Sequence, residues 1–254
     1  MSRQFEGKVA LVTGGASGIG AAACRQFSAQ GALVVVADRN ASAAEALAGQ
    51  LDGAISCNVD VADPASCETM FSMLRDKFGR LDCAFNNAGI TEVTVLKGEP
   101  LPETHMLPLD VWRQVLAADL DGVFHCLRGE LPLMLESGGG AIVNAASLQA
   151  HLSYPRTAPY TAAKHGVLGL TRTIAKEYGN RNIRCNAISP GIVDTPLNTD
   201  VINSDEFRDA LLTSIPLGRF ATPEDIARAA VWLASDQAGY VNGAFLAADG
   251  GIMA

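Results

Sequence analysis

The sequence predicts an α/β fold: a doubly wound parallel sheet of about seven strands with helices on both faces. Two observations carry this. Short β-rich apolar runs alternate with helix-length segments along the whole 254-residue chain. The runs are apolar at successive positions, as in strands buried on both faces. Strands separated by helices pair in parallel, and right-handed crossovers then wind the sheet in two directions.

The strand candidates, in order, are Val9–Thr13, Leu33–Ala37, Ala54–Asn58, Cys83–Asn86, Ala141–Ala145, Ile183–Ile188 and Ala244–Ala247. Between them the 3.6-residue apolar period predicts helices over Ala41–Leu51, Ala65–Phe78, Val111–Leu135 and Ala158–Tyr178, and one beginning near Ala21. Residues 1–254 read as one domain, since no repeat, linker or compositional break interrupts them. Two stretches depart from the rhythm. Thr91–Asp110 contains three prolines, and Leu197–Phe220 follows a Pro-Gly turn. Ligands of such folds lie beyond the carboxyl ends of the strands, so segments near 91–110 and 193–220 are expected to wall a substrate.

A composition 48% hydrophobic and 18% charged is that of a folded chain rather than a disordered one. The net charge of −8, without a Lys/Arg cluster, argues against nucleic acid or an anionic membrane as partner. No signal peptide and no bilayer-length apolar run is legible. Six scattered cysteines without a CxxC pair fit free thiols in a reducing compartment, and the protein is expected to be cytoplasmic. The histidines His105, His125, His151 and His165 lack metal-ligand spacing, so no metal is expected.

After the first strand comes Thr13-Gly14-Gly15-Ala16-Ser17-Gly18-Ile19-Gly20. Glycines let a backbone approach a pyrophosphate closely, and the following helix offers it free N–H groups and a positive dipole end. Strand two ends at Asp38-Arg39. A carboxylate there accepts hydrogen bonds from ribose hydroxyls and repels a 2′-phosphate, which favours NAD; Arg39 could instead pair with that phosphate. Asp60, after strand three, could hold the adenine amino group, and Asp63 before Pro64 reads as a helix cap.

Tyr160 and Lys164 stand four apart on a predicted helix, which puts them on one face. An ammonium beside a phenol favours the phenolate and is expected to draw its pKa down toward working pH. Ser147 ends strand five, where its hydroxyl could hold an oxygen that gains charge.

Together, Thr13–Gly20, Asn86-Asn87-Ala88-Gly89, Ser147 with Tyr160-x-x-x-Lys164, Pro190-Gly191 and Asp249-Gly250-Gly251 make the chain resemble the short-chain dehydrogenase/reductase family over essentially its whole length. The resemblance implies a Rossmann-type seven-stranded sheet assembled as a homo-oligomer, a tetramer or dimer. It implies Tyr160 as general acid/base, Ser147 as substrate-orienting donor, and Lys164 as ligand of the nicotinamide ribose. By the same carry-over Asn87, Ala88 and Gly89 line the cofactor cleft. Ile192 and Thr195 contact the nicotinamide carboxamide, and the backbone around Asp60 and Val61 holds the adenine. One position departs from the family: Asp119 stands where an Asn usually helps hold a water that links the lysine to solvent. Asp119 is expected to keep that relay and to add negative charge near Lys164.

The implied activity moves a hydride between NAD(H) and a secondary alcohol or its ketone, a small molecule of weak charge. Leu148, Gln149, Tyr154, Val193 and Leu197 suggest a mainly apolar pocket for a cyclic, aromatic or medium-chain substrate, and His151 is a further candidate contact. Trp112 and Trp232 read as packing residues. The alternatives are an NADP-dependent 3-oxoacyl carrier-protein reductase, against which Asp38 speaks, and a non-catalytic dinucleotide sensor.

Overall fold

The computed structural model describes residues 3–97, 99–203 and 208–254. Its seven strands are β1 (Val9–Thr13), β2 (Leu33–Asp38), β3 (Ile55–Asn58), β4 (Cys83–Asn86), β5 (Gly140–Ala145), β6 (Ile183–Pro190) and β7 (Phe245–Ala248). They form one parallel sheet in the order β3-β2-β1-β4-β5-β6-β7. The order reverses between β1 and β4, which opens a crevice at their carboxyl ends. The sheet matches the sequence expectation strand for strand, with ends moved by at most two residues.

The pleat of β1 shows why both faces must be apolar. Val9 and Leu11 enter one core with Val35, Met70, Leu127, Ile142 and Val167. Ala10 and Val12 enter the opposite core with Phe27, Val34, Val36, Leu47 and Val231. Helices α3 (Pro64–Phe78), α6 (Gly122–Glu136) and α7 (Ala158–Tyr178) cover the first face. Helices α1 (Gly18–Ala29), α2 (Ala41–Ala48) and α10 (Pro223–Ala234) cover the second. Asp63 caps α3 by accepting the Ala65 N–H at 3.0 Å, with Pro64 in the first turn, as expected.

The structure corrects the sequence at the long helix predicted over Val111–Leu135. Helix α5 (Leu109–Leu116) gives way to a π-helical turn at Ala117–Asp121 before α6 begins. The wider turn carries Asp119 into the interior, where it is fully buried. Gly122 follows because a β-carbon there would stand 2.8 Å from the Val61 side chain. The two irregular segments hold short helices: α4 (Glu92–Leu96) in one, α8 (Thr199–Ile202) and α9 (Arg208–Thr213) in the other. Residues 98 and 204–207 of the expected substrate segments lie outside the described residues. Trp112 and Trp232 pack only in part, each leaving more than a third of its surface exposed (36% and 38%).

All six cysteines are free, five of them buried. Burial pushes the Cys24 and Cys83 thiols up to about 12, so both are inert packing groups. No helix among the described residues is long and apolar enough to cross a membrane.

Beneath the sheet runs a buried polar chain. Asn86 Nδ2 donates to Glu130 at 3.2 Å and to Asn144 Oδ1 at 3.0 Å; Asn144 Nδ2 donates to Thr171 Oγ1 at 2.9 Å. Burial pushes Glu130 up to about 8, only partly opposed by the Asn86 amide, so Glu130 is largely protonated at neutral pH. Above the ordinary carboxyl range the folded chain holds a proton that the unfolded chain has released. Stability therefore falls as pH rises from that range toward about 8. Glu130→Gln copies the protonated acid and is expected to flatten this decline, seen as urea midpoints measured across the interval. Parallel declines in the two proteins would contradict it.

Candidate active site

The crevice at the carboxyl ends of the strands is a cavity of about 550 Å³. One half is walled by Gly14, Ser17, Gly18, Ile19, Asp38, Arg39, Asp60, Val61, Asn87, Ala88 and Gly89. Pro190, Gly191, Ile192 and Thr195 close it from the β6 side. Ser147, Tyr160, Lys164 and Asp119 stand where this half meets the other, which is lined by Gln149, Tyr154, Val193 and Leu197. Residues as far apart in the chain as Gly14 and Leu197 thus face one space.

The glycine loop is shaped by close approaches. Gly14 lies in the left-handed region at φ 61°, and a β-carbon on it would stand 2.9 Å from the Ala88 backbone. A β-carbon on Gly20 would meet the Gly14 carbonyl oxygen at 2.0 Å. Gly20 is therefore a packing residue that seats α1 against the loop and does not itself line the cleft, a correction to its expected cofactor contact. Helix α1 begins at Gly18, one turn before the predicted start. Its cap residue Ser17 makes no side-chain capping bond, which leaves first-turn N–H groups and a hydroxyl for an outside acceptor. A cradle a side chain would fill, at a helix N-terminus with unspent donors, fits a dinucleotide pyrophosphate.

Asp38 has structural work as well. Its Oδ2 accepts the Ala16 N–H at 3.0 Å and its Oδ1 accepts the Asn40 N–H at 2.9 Å, so it braces the loop. A carboxylate has about four acceptor positions, which leaves capacity for ribose hydroxyls. Asn87 Nδ2 donates to the carbonyls of Thr13 and Gly14, both at 3.2 Å, and ties the end of β4 to the same loop.

At the chemical end, Lys164 is almost wholly buried (3% exposed) and donates to the Ala145 carbonyl of β5 at 3.0 Å. Its Nζ is 3.0 Å from Asp119 Oδ2 and 5.4 Å from the centre of the Tyr160 ring. Asp119 Oδ1 accepts the Ile90 N–H at 2.7 Å. Asp119 thus pairs directly with the lysine and places beside it the negative charge that the sequence analysis expected there. Gly89 makes room for it, since a β-carbon there would stand 2.8 Å from Asp119 Oδ2. Burial opposes charge on Lys164, yet Asp119 and Tyr160 more than offset it and raise its pKa. Burial also raises Asp119, against the pull of Lys164 and the Ile90 amide.

Tyr160 departs from expectation. Burial raises its phenol above the ordinary value, and the negative charges of Asp119 and Glu92 add to this; Lys164 and a Ser147 hydrogen bond only partly counter them. The substrate-free site therefore holds a protonated tyrosine.

Glu92 was not singled out from the sequence. It is buried, lines the cleft, and its Oε1 accepts the Tyr160 N–H at 2.8 Å. No local pattern signals a contact between residues 68 positions apart; only its position just after the Asn86–Gly89 motif hints at the cleft. His151 is the opposite case. Its ring lies 4.1 Å from that of Phe245 on β7, outside the cleft wall, so it is not a substrate-side group in this structure. His165 hydrogen-bonds the Thr161 carbonyl at 2.9 Å and stays on its helix.

Fold and crevice define an α/β enzyme built around a dinucleotide. A family model described as enoyl-(acyl carrier protein) reductase matches residues 14–253. The chain is 43% identical to D-threitol dehydrogenase of Mycolicibacterium smegmatis, covering 98% of this chain and 94% of that protein. It is 41% identical to 2,5-dichloro-2,5-cyclohexadiene-1,4-diol dehydrogenase of Sphingobium indicum, covering 98% of both. Among solved structures, a candidate NAD(P)-dependent gluconate 5-dehydrogenase of Beutenbergia cavernae, with NADP at low occupancy, superposes with a TM-score of 0.90. The two are 35% identical, over 100% of this chain and 99% of that one. The chain belongs to the short-chain dehydrogenase/reductase family, and it is an oxidoreductase whose cofactor is a nicotinamide dinucleotide.

Gly20→Ala is expected to destabilise the protein by about 1–3 kcal/mol through overpacking and to weaken NADH binding. Thermal unfolding and NADH fluorescence titration check this. Native values in both would remove the packing role.

Proposed function

We propose that the protein interconverts a small, weakly charged secondary alcohol and its ketone with NAD(H), through Ser147, Tyr160 and Lys164. The observation that carries this reading is their convergence, with the glycine loop, on one cleft. When bound, the oxidised nicotinamide accepts the two electrons and the hydrogen of the alcohol carbon. The chain's own residues handle the oxygen and its proton. Ser147, two residues past the end of β5, lines the cleft and serves as the orienting donor for the substrate oxygen. Tyr160 takes the alcohol proton in oxidation and returns it in reduction. Lys164, kept cationic by Asp119, steadies the phenolate and holds the nicotinamide ribose.

The substrate side is walled by Ile90, Val93, Leu101, Leu148, Val193 and Leu197. This apolar wall, and the names of the two relatives above, one for a threitol and one for a cyclic diol, support a small polyol or cyclic alcohol as substrate. Thr91, Val93 and Leu101 from the segment near 91–110, and Val193, Leu197 and Leu211 from the one near 193–220, supply its walls in this reading. Asp38 supports NAD over NADP, while Arg39 beside it on the cleft wall keeps the NADP reading as an arm of the test. The free thiols support a cytoplasmic setting. The exposed Leu109, Trp112 and Phe124 on α5 and α6 support a homo-oligomer, a tetramer or dimer.

Tyr160→Phe is expected to lose at least about a hundredfold in kcat while NADH still binds; undiminished turnover would remove the assignment. Steady-state comparison of the two cofactors is expected to favour NAD, with Asp38→Ala narrowing the ratio. A native preference for NADP would overturn the cofactor reading.

A further inference from the structure

We propose that Glu92 is a positioning residue for the reaction: from the substrate-side segment it caps the N-terminus of α7 and so fixes Tyr160 over the cleft. The proposal rests on the reading of Tyr160 as the acid/base.

The first turn of α7 lacks a cap of its own. Its cap residue Thr157 makes no side-chain capping bond; its hydroxyl is turned instead toward Gln149 Oε1 at 2.8 Å and the Tyr154 carbonyl at 2.9 Å, to one of which it donates. Pro159 has no N–H to satisfy. The Tyr160 N–H is the next donor, and Glu92 Oε1 takes it at 2.8 Å from α4. An anion at a helix N-terminus is favoured by the helix dipole, and a charge-assisted bond to a buried amide is stronger than a neutral one. Glu92 is itself 1% exposed, so its carboxylate has little access to water as an alternative partner. The acceptor supplied at the backbone of Tyr160 holds the phenol and, one turn later, Lys164.

The same carboxylate leaves an electrostatic mark. Tyr160 is faced by Lys164 on its own helix, by Asp119 from the π turn, by Ser147 from the turn after β5 and by Glu92 from α4. Glu92 is faced in turn by Asp119, and burial keeps its pKa above the ordinary carboxyl value. A purely structural cap would leave the titration of Tyr160 untouched; a charged one does not.

The test uses two variants in the full chain. Glu92→Gln keeps the acceptor and removes the charge; Glu92→Ala removes both. Tyr160 ionisation is read from tyrosinate absorbance, as the difference from the same protein carrying Tyr160→Phe, without recourse to turnover. Glu92→Gln removes one of the negative charges that face the phenol and is expected to lower that midpoint. Its kcat at the pH plateau is expected to stay within about threefold of native. Glu92→Ala is expected to lose about tenfold or more in kcat with KM little changed, the signature of misplaced chemistry rather than lost binding. An unmoved midpoint in Glu92→Gln would overturn the proposal, as would native kcat in a folded Glu92→Ala. Should Glu92→Ala fail to fold, the Glu92→Gln titration decides alone. Failure of the parent reading shows separately, as turnover surviving in Tyr160→Phe.

Discussion

The ion pair between Lys164 and Asp119, 3.0 Å long and sealed from solvent, is the constraint around which the chemical end is built. Taking two charges out of water costs several kcal/mol per ion, so such a pair is a weak source of stability. What it provides is definition. The π turn aims Asp119 inward, Gly89 leaves space for the carboxylate, and the Ile90 N–H takes its second oxygen. The Ala145 carbonyl at the end of β5 takes another lysine proton. Four separate elements are thus held in register by one ammonium.

That arrangement decides the resting state of Tyr160. One cation stands against two anions, Asp119 and Glu92, in a buried setting, and the phenol stays protonated. Under the proposed reading, the protonated phenol is the form that donates to a ketone oxygen and the phenolate the form that takes the alcohol proton. The lysine alone does not bring the tyrosine to neutrality, contrary to what a Tyr-x-x-x-Lys spacing suggests in isolation.

The sheet was legible in the sequence because parallel strands buried on two faces leave continuous apolar runs, and Val9–Thr13 or Cys83–Asn86 cannot be read otherwise. The glycine loop was legible for a similar reason: Gly14 and Gly18 adopt backbone angles that other residues avoid. Individual roles were less so. Gly20 looks like a phosphate contact from its spacing, but its missing side chain is needed by the Gly14 carbonyl. His151 follows Ser147 closely, yet a turn after β5 swings its ring onto Phe245. Glu92 and the break in the long helix were invisible, since both arise from contacts between distant segments. A π turn has no strong residue signature, and a cap supplied from 68 residues away has none at all.

The account depends on Asp119 holding Lys164 cationic, and the pH dependence of turnover in Asp119→Asn tests this most directly. Asn keeps the acceptor for the Ile90 N–H but not the charge. Burial, which disfavours the ammonium, is then left with only Tyr160 to oppose it, and the lysine pKa falls. The predicted result is an alkaline limb that descends at lower pH than in the native protein, with cofactor affinity below that limb little changed. A profile superimposable on the native one would contradict the account.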